Sequence, residues 1–175
     1  MEYLALTVLG KNQPGISNEL TKLANYCECN IITCHMVILG NEFNANLLLS
    51  GSWNTLAKFE SQLPALEQKH ELQTLWQRTQ PAEKQINTLP YTVYVIAMDN
   101  PEVIYQLTNF FAEQAITINE LRTEIYTARY SDIPMCALSM SISVSDTDNI
   151  SDLRERFLLF CDGFNFDSII EPEKS

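Results

Sequence analysis

Two halves of this chain carry the same succession of apolar periods, and that repeat limits the fold more than any other feature. Pro14 and Pro101 stand 87 positions apart, and the same offset brings Ile16 onto Val103, Leu20 onto Leu107, Thr21 onto Thr108, Leu23 onto Phe110 and Ile31 onto Ile118. Self-similarity at a fixed spacing marks one supersecondary unit used twice. A chain of 175 residues has room for two such units, each near the lower end of independent stability.

Within the first copy, Tyr3 to Leu9 is a short apolar run bounded by Gly10 and is predicted to be a buried strand. A helix follows, with Ile16, Leu20, Leu23 and Cys27 at helical spacing, ending near Tyr26 to Glu28. Asn30 to Leu39 is rich in β-branched residues and stops at Gly40-Asn41, a hairpin signal, so its partner strand runs from about Phe43 to Ser50. Leu56, Phe59, Leu63 and Leu66 predict a helix over Thr55 to Ala65 with Asn54 or Thr55 as its cap, and a last strand fits Glu71 to Gln77. The order β-α-β-β-α-β then recurs: strand 91–98, helix 102–113, strands 117–128 and 135–144, helix 149–161, strand 164–170. The segment between, with Pro81 and Pro90 and no apolar period, reads as a linker. The expected organisation is α+β: two tandem ferredoxin-like βαββαβ modules over 1–78 and 91–171, a linker over 79–90, and in each module an antiparallel sheet with both helices on one face. Such sheets leave an edge and a face uncovered. Two modules can pair edges or stack faces to hide them, which makes the cleft between modules the natural ligand site.

The connection after the first strand, Lys11 to Leu20, holds the first candidate site. The opening turn of a helix leaves N–H groups unpaired at the positive end of the helix dipole, and Gly15 has no Cβ to keep a ligand off the main chain. A small anionic group can dock there. Asn12 and Gln13 add amide donors and acceptors at the rim, which suits the zwitterion of an amino acid better than a polyphosphate. The alternative is structural: Pro14-Gly15 makes a turn and Asn12 caps the helix.

Charge narrows the partners. Twenty-two acids against 11 bases give a net −11, which argues against direct contact with nucleic acid or an anionic membrane, since both need clustered Lys and Arg. Any role near DNA would run through another protein. No basic region precedes the first apolar residues, and no apolar run approaches a membrane span, so a soluble cytoplasmic protein is expected. Five cysteines, an odd number, fit reduced thiols better than a disulfide framework.

Asn12-x-Pro14-Gly15-Ile16 at the first strand–helix turn, Asn30-Ile31 opening the second strand, and the tandem β-α-β-β-α-β order together resemble ACT domains, regulatory modules that often sense amino acids. More narrowly, Cys27-Glu28-Cys29-Asn30-Ile31, Leu39-Gly40-Asn41-Glu42-Phe43 and Leu48-Leu49-Ser50-Gly51-Ser52-Trp53-Asn54 resemble the paired-ACT repressors of the bacterial glycine cleavage system. That resemblance implies a non-catalytic protein without cofactor or metal. It would hold a transcriptional activator inactive until an amino acid, glycine foremost, relieves the hold. It is compatible with a homodimer. Carried over by position, the ligand site comprises Asn12, Gln13, Pro14, Gly15 and Ile16, with Asn30 across the cleft. ACT domains commonly have an acidic residue where Asn12 stands; the amide can accept from an ammonium but lacks the charge. By the offset, Gly15 becomes Glu102 and Asn30 becomes Thr117, so one intact site per chain is expected. The rival reading is a dissociable regulatory subunit of a metabolic enzyme.

Other clusters carry less. Cys27, Cys29 and Cys34 beside His35 include good zinc ligands, yet neighbours in a strand point to opposite faces, so small core residues are the expected reading. Neither His35 nor His70 sits in a sequence arrangement that suggests a triad. Trp53 reads as a packing anchor, the alternating Ser139, Ser141, Ser143 and Ser145 as the less apolar side of a sheet, and Glu113, Glu120, Glu124 and Asp132 as solvated acids without a basic complement.

Overall fold

The computed structural model describes residues 1–81, 88–128 and 132–173. The chain divides into two units, 1–83 and 84–175. Unit 1 runs β1 (Glu2–Lys11), α1 (Ile16–Tyr26), β2 (Asn30–Leu39), β3 (Glu42–Gly51), α2 (Trp53–His70) and β4 (Leu72–Thr79). Unit 2 runs β5 (Thr88–Met98), α3 (Glu102–Glu113), β6 (Thr117–Thr127), β7 (Pro134–Ser145), α4 (Ile150–Phe164) and β8 (Asp167–Pro172). The sheets are antiparallel with orders β2-β3-β1-β4 and β6-β7-β5-β8, so these are tandem ferredoxin-like modules.

The repeat is kept in fine backbone detail. A β-bulge interrupts β2 between Ile31 and Thr33 and β6 between Ile118 and Glu120, again 87 residues on. After α1 the chain turns through Glu28 at φ 57°, and after α3 through Ala115 at φ 55°; the following amides donate back to Ala24 (2.9 Å) and Phe111 (3.0 Å). Paired left-handed turns at the same offset show one helix-ending geometry used twice.

Each unit closes its own core. In β1, Leu4, Leu6 and Val8 are buried while Ala5, Thr7 and Leu9 are exposed, so the strand expected to be buried throughout is half-buried, its other side being the sheet's open face. Leu20 and Ala24 of α1 and Leu56, Phe59, Leu63 and Leu66 of α2 cover the buried side. In unit 2, Val93, Val95, Met140 and Ile142 lie under Leu107 and Phe111 of α3 and Leu153 and Phe157 of α4. The serines of β7 face away from that core, as their alternation predicts.

Several boundaries differ from the sequence reading. The α2 helix continues past Pro64 to His70, because Leu63 and Leu66 on either side stay in the core, outweighing one missing N–H. Its cap is Ser52, whose Oγ accepts from the Thr55 N–H (3.2 Å), rather than Asn54 or Thr55. Trp53 in that first turn is 64% exposed and anchors no packing. The linker expected over 79–90 overlaps both flanking strands: Thr79 ends β4, 88–90 open β5, and 82–87 lie outside the described residues. Pro90 is tolerated in β5 because its carbonyl already accepts from Glu173 N–H, just past the end of β8, and the missing N–H faces that same finished edge. Glu120 does have a basic partner, Arg122, which donates to it at 2.6 Å.

Among the described residues no helix is long and apolar enough to cross a membrane. Four of the five thiols are buried, at Cys27, Cys29, Cys136 and Cys161, and desolvation pushes each of them up from the ordinary thiol value; Cys34 is exposed. Since the thiolate is the reactive form, a disulfide reagent at mild alkaline pH should titrate one fast thiol per native chain. Cys34→Ser should remove that phase. Two or more fast thiols in the native protein would contradict this packing.

Candidate functional site

The β1–α1 loop is held from two sides. The Asn12 N–H donates to the Asn41 carbonyl in the β2–β3 turn (3.0 Å), and Gln13 Nε2 donates to the His70 carbonyl at the end of α2 (2.8 Å). Gly15 caps α1 at φ 87°, a left-handed conformation that side chains resist, and a Cβ added there would meet nothing within 4 Å. The glycine therefore answers to the backbone turn and leaves open space outside it.

The donors of this turn divide cleanly. Ile16 N–H returns to the Gln13 carbonyl (3.3 Å) and Glu19 N–H to the Gly15 carbonyl (3.0 Å). The N–H groups of Gly15, Ser17 and Asn18 have no acceptor among the described residues, and no side chain caps the helix. Three outward N–H groups at the positive end of an eleven-residue helix suit a carboxylate. The exposed Asn12 side chain beside them can accept from an ammonium.

The predicted residues thus play unequal parts. Asn12, Pro14 and Gly15 are exposed around the donors, the Gln13 amide is engaged internally, and Ile16 is buried, anchoring α1 in the core. Asn30 is not brought to them within the unit. It pairs with Ser50, which pairs with Tyr3, whereas the loop follows Lys11 at the other end of β1. Eight residues of strand separate those rows, roughly 26 Å at about 3.3 Å each. A single amino acid cannot span that.

Sequence reasoning missed the layer beneath the loop. Glu19, in the first turn of α1, accepts from Lys69 Nζ (2.5 Å) and lies 3.5 Å from His70 Nε2. The Lys69 ammonium, first by its hydrogen bond, holds the Glu19 carboxyl below its ordinary value. The contact therefore supports the fold above the usual carboxylate range and is lost as pH falls through the lowered value. Fifty residues separate the partners, so no local pattern announces them.

The equivalent loop of unit 2 is built differently. Asp99 N–H donates to Pro134 and Val103 N–H to Asn100, repeating the frame. Yet the helix starts one residue earlier, at Glu102 after Pro101, and Asn100 Oδ1 accepts from the Glu102 N–H (2.9 Å). Where Gln13 turns away from the donors, Asn100 covers one, and Glu102 adds a carboxylate among the rest.

The cysteine and histidine cluster does not assemble. Cys27 and Cys29 are buried under α2, while Cys34 and His35 occupy consecutive positions of β2. No group of three or more His, Cys, Asp or Glu able to hold a metal occurs among the described residues.

Comparison with known proteins agrees with this architecture. Residues 2–77 match the family model described as ACT domain. Over 163 residues, 93% of this chain and 86% of the relative, the sequence is 28% identical to the glycine cleavage system transcriptional repressor of Escherichia coli (strain K12), and equally to that of Shigella flexneri. A crystal structure provisionally assigned as such a repressor is 29% identical, covers 99% of this chain and 98% of its own, and superposes with a TM-score of 0.72. A protein of unknown function from Galdieria sulphuraria, 18% identical with a TM-score of 0.77 and 99% coverage of both chains, shares the fold.

Proposed function

We propose, from the ACT match over residues 2–77 and the likeness along nearly the whole chain to the glycine cleavage system transcriptional repressors, that this pair of ferredoxin-like modules is an amino-acid-responsive, non-catalytic regulator. It lowers transcription of the glycine cleavage operon without touching DNA, by holding a transcriptional activator that glycine releases. The observation that carries the effector half is the set of N–H groups around Gly15, left uncapped in unit 1, where unit 2 covers the equivalent of the Gly15 amide with Asn100. The net charge of −11 supports the indirect route, because a phosphate backbone would repel this surface. Asn30 joins the effector site only when a second copy of the chain supplies it.

Glycine acts by favouring the activator-free form, and only by its difference in affinity for the two forms. A hundredfold difference corresponds to about 2.7 kcal/mol, enough to move a mostly bound population to a mostly free one. The test is co-elution of the tagged chain with proteins from native lysate in size-exclusion chromatography, with and without millimolar glycine. The expected result is a DNA-binding activator that travels with the chain and leaves it when glycine is added. Co-elution of a biosynthetic enzyme instead would establish a dissociable regulatory subunit.

A further inference from the structure

The helical face of unit 1 carries a groove that the effector site does not use. It lies between α1 and α2, encloses about 250 Å³, and has Leu23, Ala65 and Leu66 for a floor and the 64% exposed Tyr26 for a wall. Lys22 and Lys69 stand on its rim, and Lys58 lies over the Tyr26 ring, 4.0 Å from its centroid. Of the four lysines among the described residues, three therefore sit on this one face of an acidic protein. Glu19 is the single carboxylate in the lining.

The repeat supplies an independent comparison. By the 87-residue offset Leu23 corresponds to Phe110, which fills the matching seam of unit 2: its ring lies 5.2 Å from Phe111, 5.3 Å from Phe157 and 4.8 Å from Phe160. The counterpart of Tyr26 is Glu113. One copy closes the seam with its own aromatic rings, and the other leaves it open under a cationic rim.

We propose that the α1–α2 groove of unit 1 docks an acidic segment of a protein partner, anchored by a large apolar side chain between Leu23, Leu66 and Tyr26 and by carboxylates at Lys22, Lys58 and Lys69. This rests on the reading that the chain acts by holding a protein. Charge complementarity selects an acidic partner: two ammonium groups meet one carboxylate in the lining, Lys58 stands beside them over Tyr26 with its Nζ donating to the Tyr26 carbonyl, and at physiological salt the chain's other acids are screened beyond about 8 Å. In the existing pair Lys69 is exposed and Glu19 part-buried, so the Lys69 ammonium can turn to a partner carboxylate at modest cost.

The test is selection of short random peptides from a display library on the full chain, with recovered peptides measured by fluorescence anisotropy against wild type, Leu23→Phe and the double variant Lys22→Glu, Lys69→Glu. Recovered peptides are expected to combine net negative charge with a large apolar residue. Both variants should weaken them by about tenfold or more, with Leu23→Phe melting near the wild-type temperature and the double variant folded but melting somewhat lower for want of the Lys69–Glu19 contact. Basic or uncharged winners, winners indifferent to both variants, or no winners would overturn the groove. The double variant also separates the two readings. If it still co-elutes with the activator as wild type does, the groove fails and the proposed function stands. If wild type holds no activator but the acidic peptides bind as described, the proposed function fails and the groove stands.

Discussion

Phe157→Ala should unfold unit 2 well before unit 1. Phe157 is fully buried, its ring 5.4 Å from that of Phe111 and 5.3 Å from that of Phe110, and truncating it leaves a cavity at the junction of α3, α4 and the sheet. Removing a buried phenylalanine costs about 3–5 kcal/mol. That is a large share of the stability a unit of this size commands. The core of unit 1, built from Leu4, Leu20, Leu49, Phe59 and their neighbours, shares no residue with it. Both tryptophans, Trp53 and Trp76, lie in unit 1, so tryptophan emission follows that unit while far-ultraviolet dichroism follows both. In urea the variant should lose about half its dichroism at low denaturant with emission unchanged, and the rest together with emission at the wild-type midpoint. Phe59→Ala should reverse the order. Coincident curves, both shifted by Phe157→Ala, would show instead that the units unfold as one.

Element order and the repeat were legible because each rests on local periodicity. The offset that aligns Pro14 with Pro101 also predicts where the bulges at 32 and 119 and the left-handed turns at Glu28 and Ala115 recur. What local pattern misjudged was decided by contacts distant in sequence. The apolar period places the end of α2 near Ala65, but the buried side chains on either side of Pro64 carry the helix to His70. By sequence Ile16 belongs both to the apolar face of α1 and to the ligand loop; it is core, because α1 must enter the sheet's buried side within one turn of the strand. The Gln13 bond to His70 and the Glu19 bond to Lys69 join residues 57 and 50 positions apart, and no window of sequence contains both ends. The separation of Asn30 from the loop follows from antiparallel register, which sends β2 in at the opposite end of the sheet.

Gly15→Glu should abolish effector binding while leaving unit 1 folded. The proposed site binds a carboxylate through N–H groups at the start of α1, and a glutamate at Gly15 places a second carboxylate over the same donors. Like charges about 4 Å apart repel by roughly 4 kcal/mol in surroundings of intermediate dielectric, so affinity should fall by about two to three orders of magnitude. Strain accompanies the change, because φ 87° disfavours any Cβ by about 1 kcal/mol. Gly15→Ala separates the two effects. It carries the strain without the charge and meets no atom within 4 Å, so it should melt lower, as the glutamate variant does, yet bind within about tenfold of wild type. Titration calorimetry with glycine, serine and a wider amino-acid panel checks all three proteins. Equal binding by wild type and Gly15→Glu would place the effector elsewhere, and no binding by any would reduce the loop to a turn. The reciprocal change in unit 2, Glu102→Gly, should create no site. It removes the carboxylate, but Asn100 Oδ1 still caps the amide at 102 and the helix still begins one residue early, so the amide equivalent to that of Gly15 stays covered and the three-donor set is incomplete.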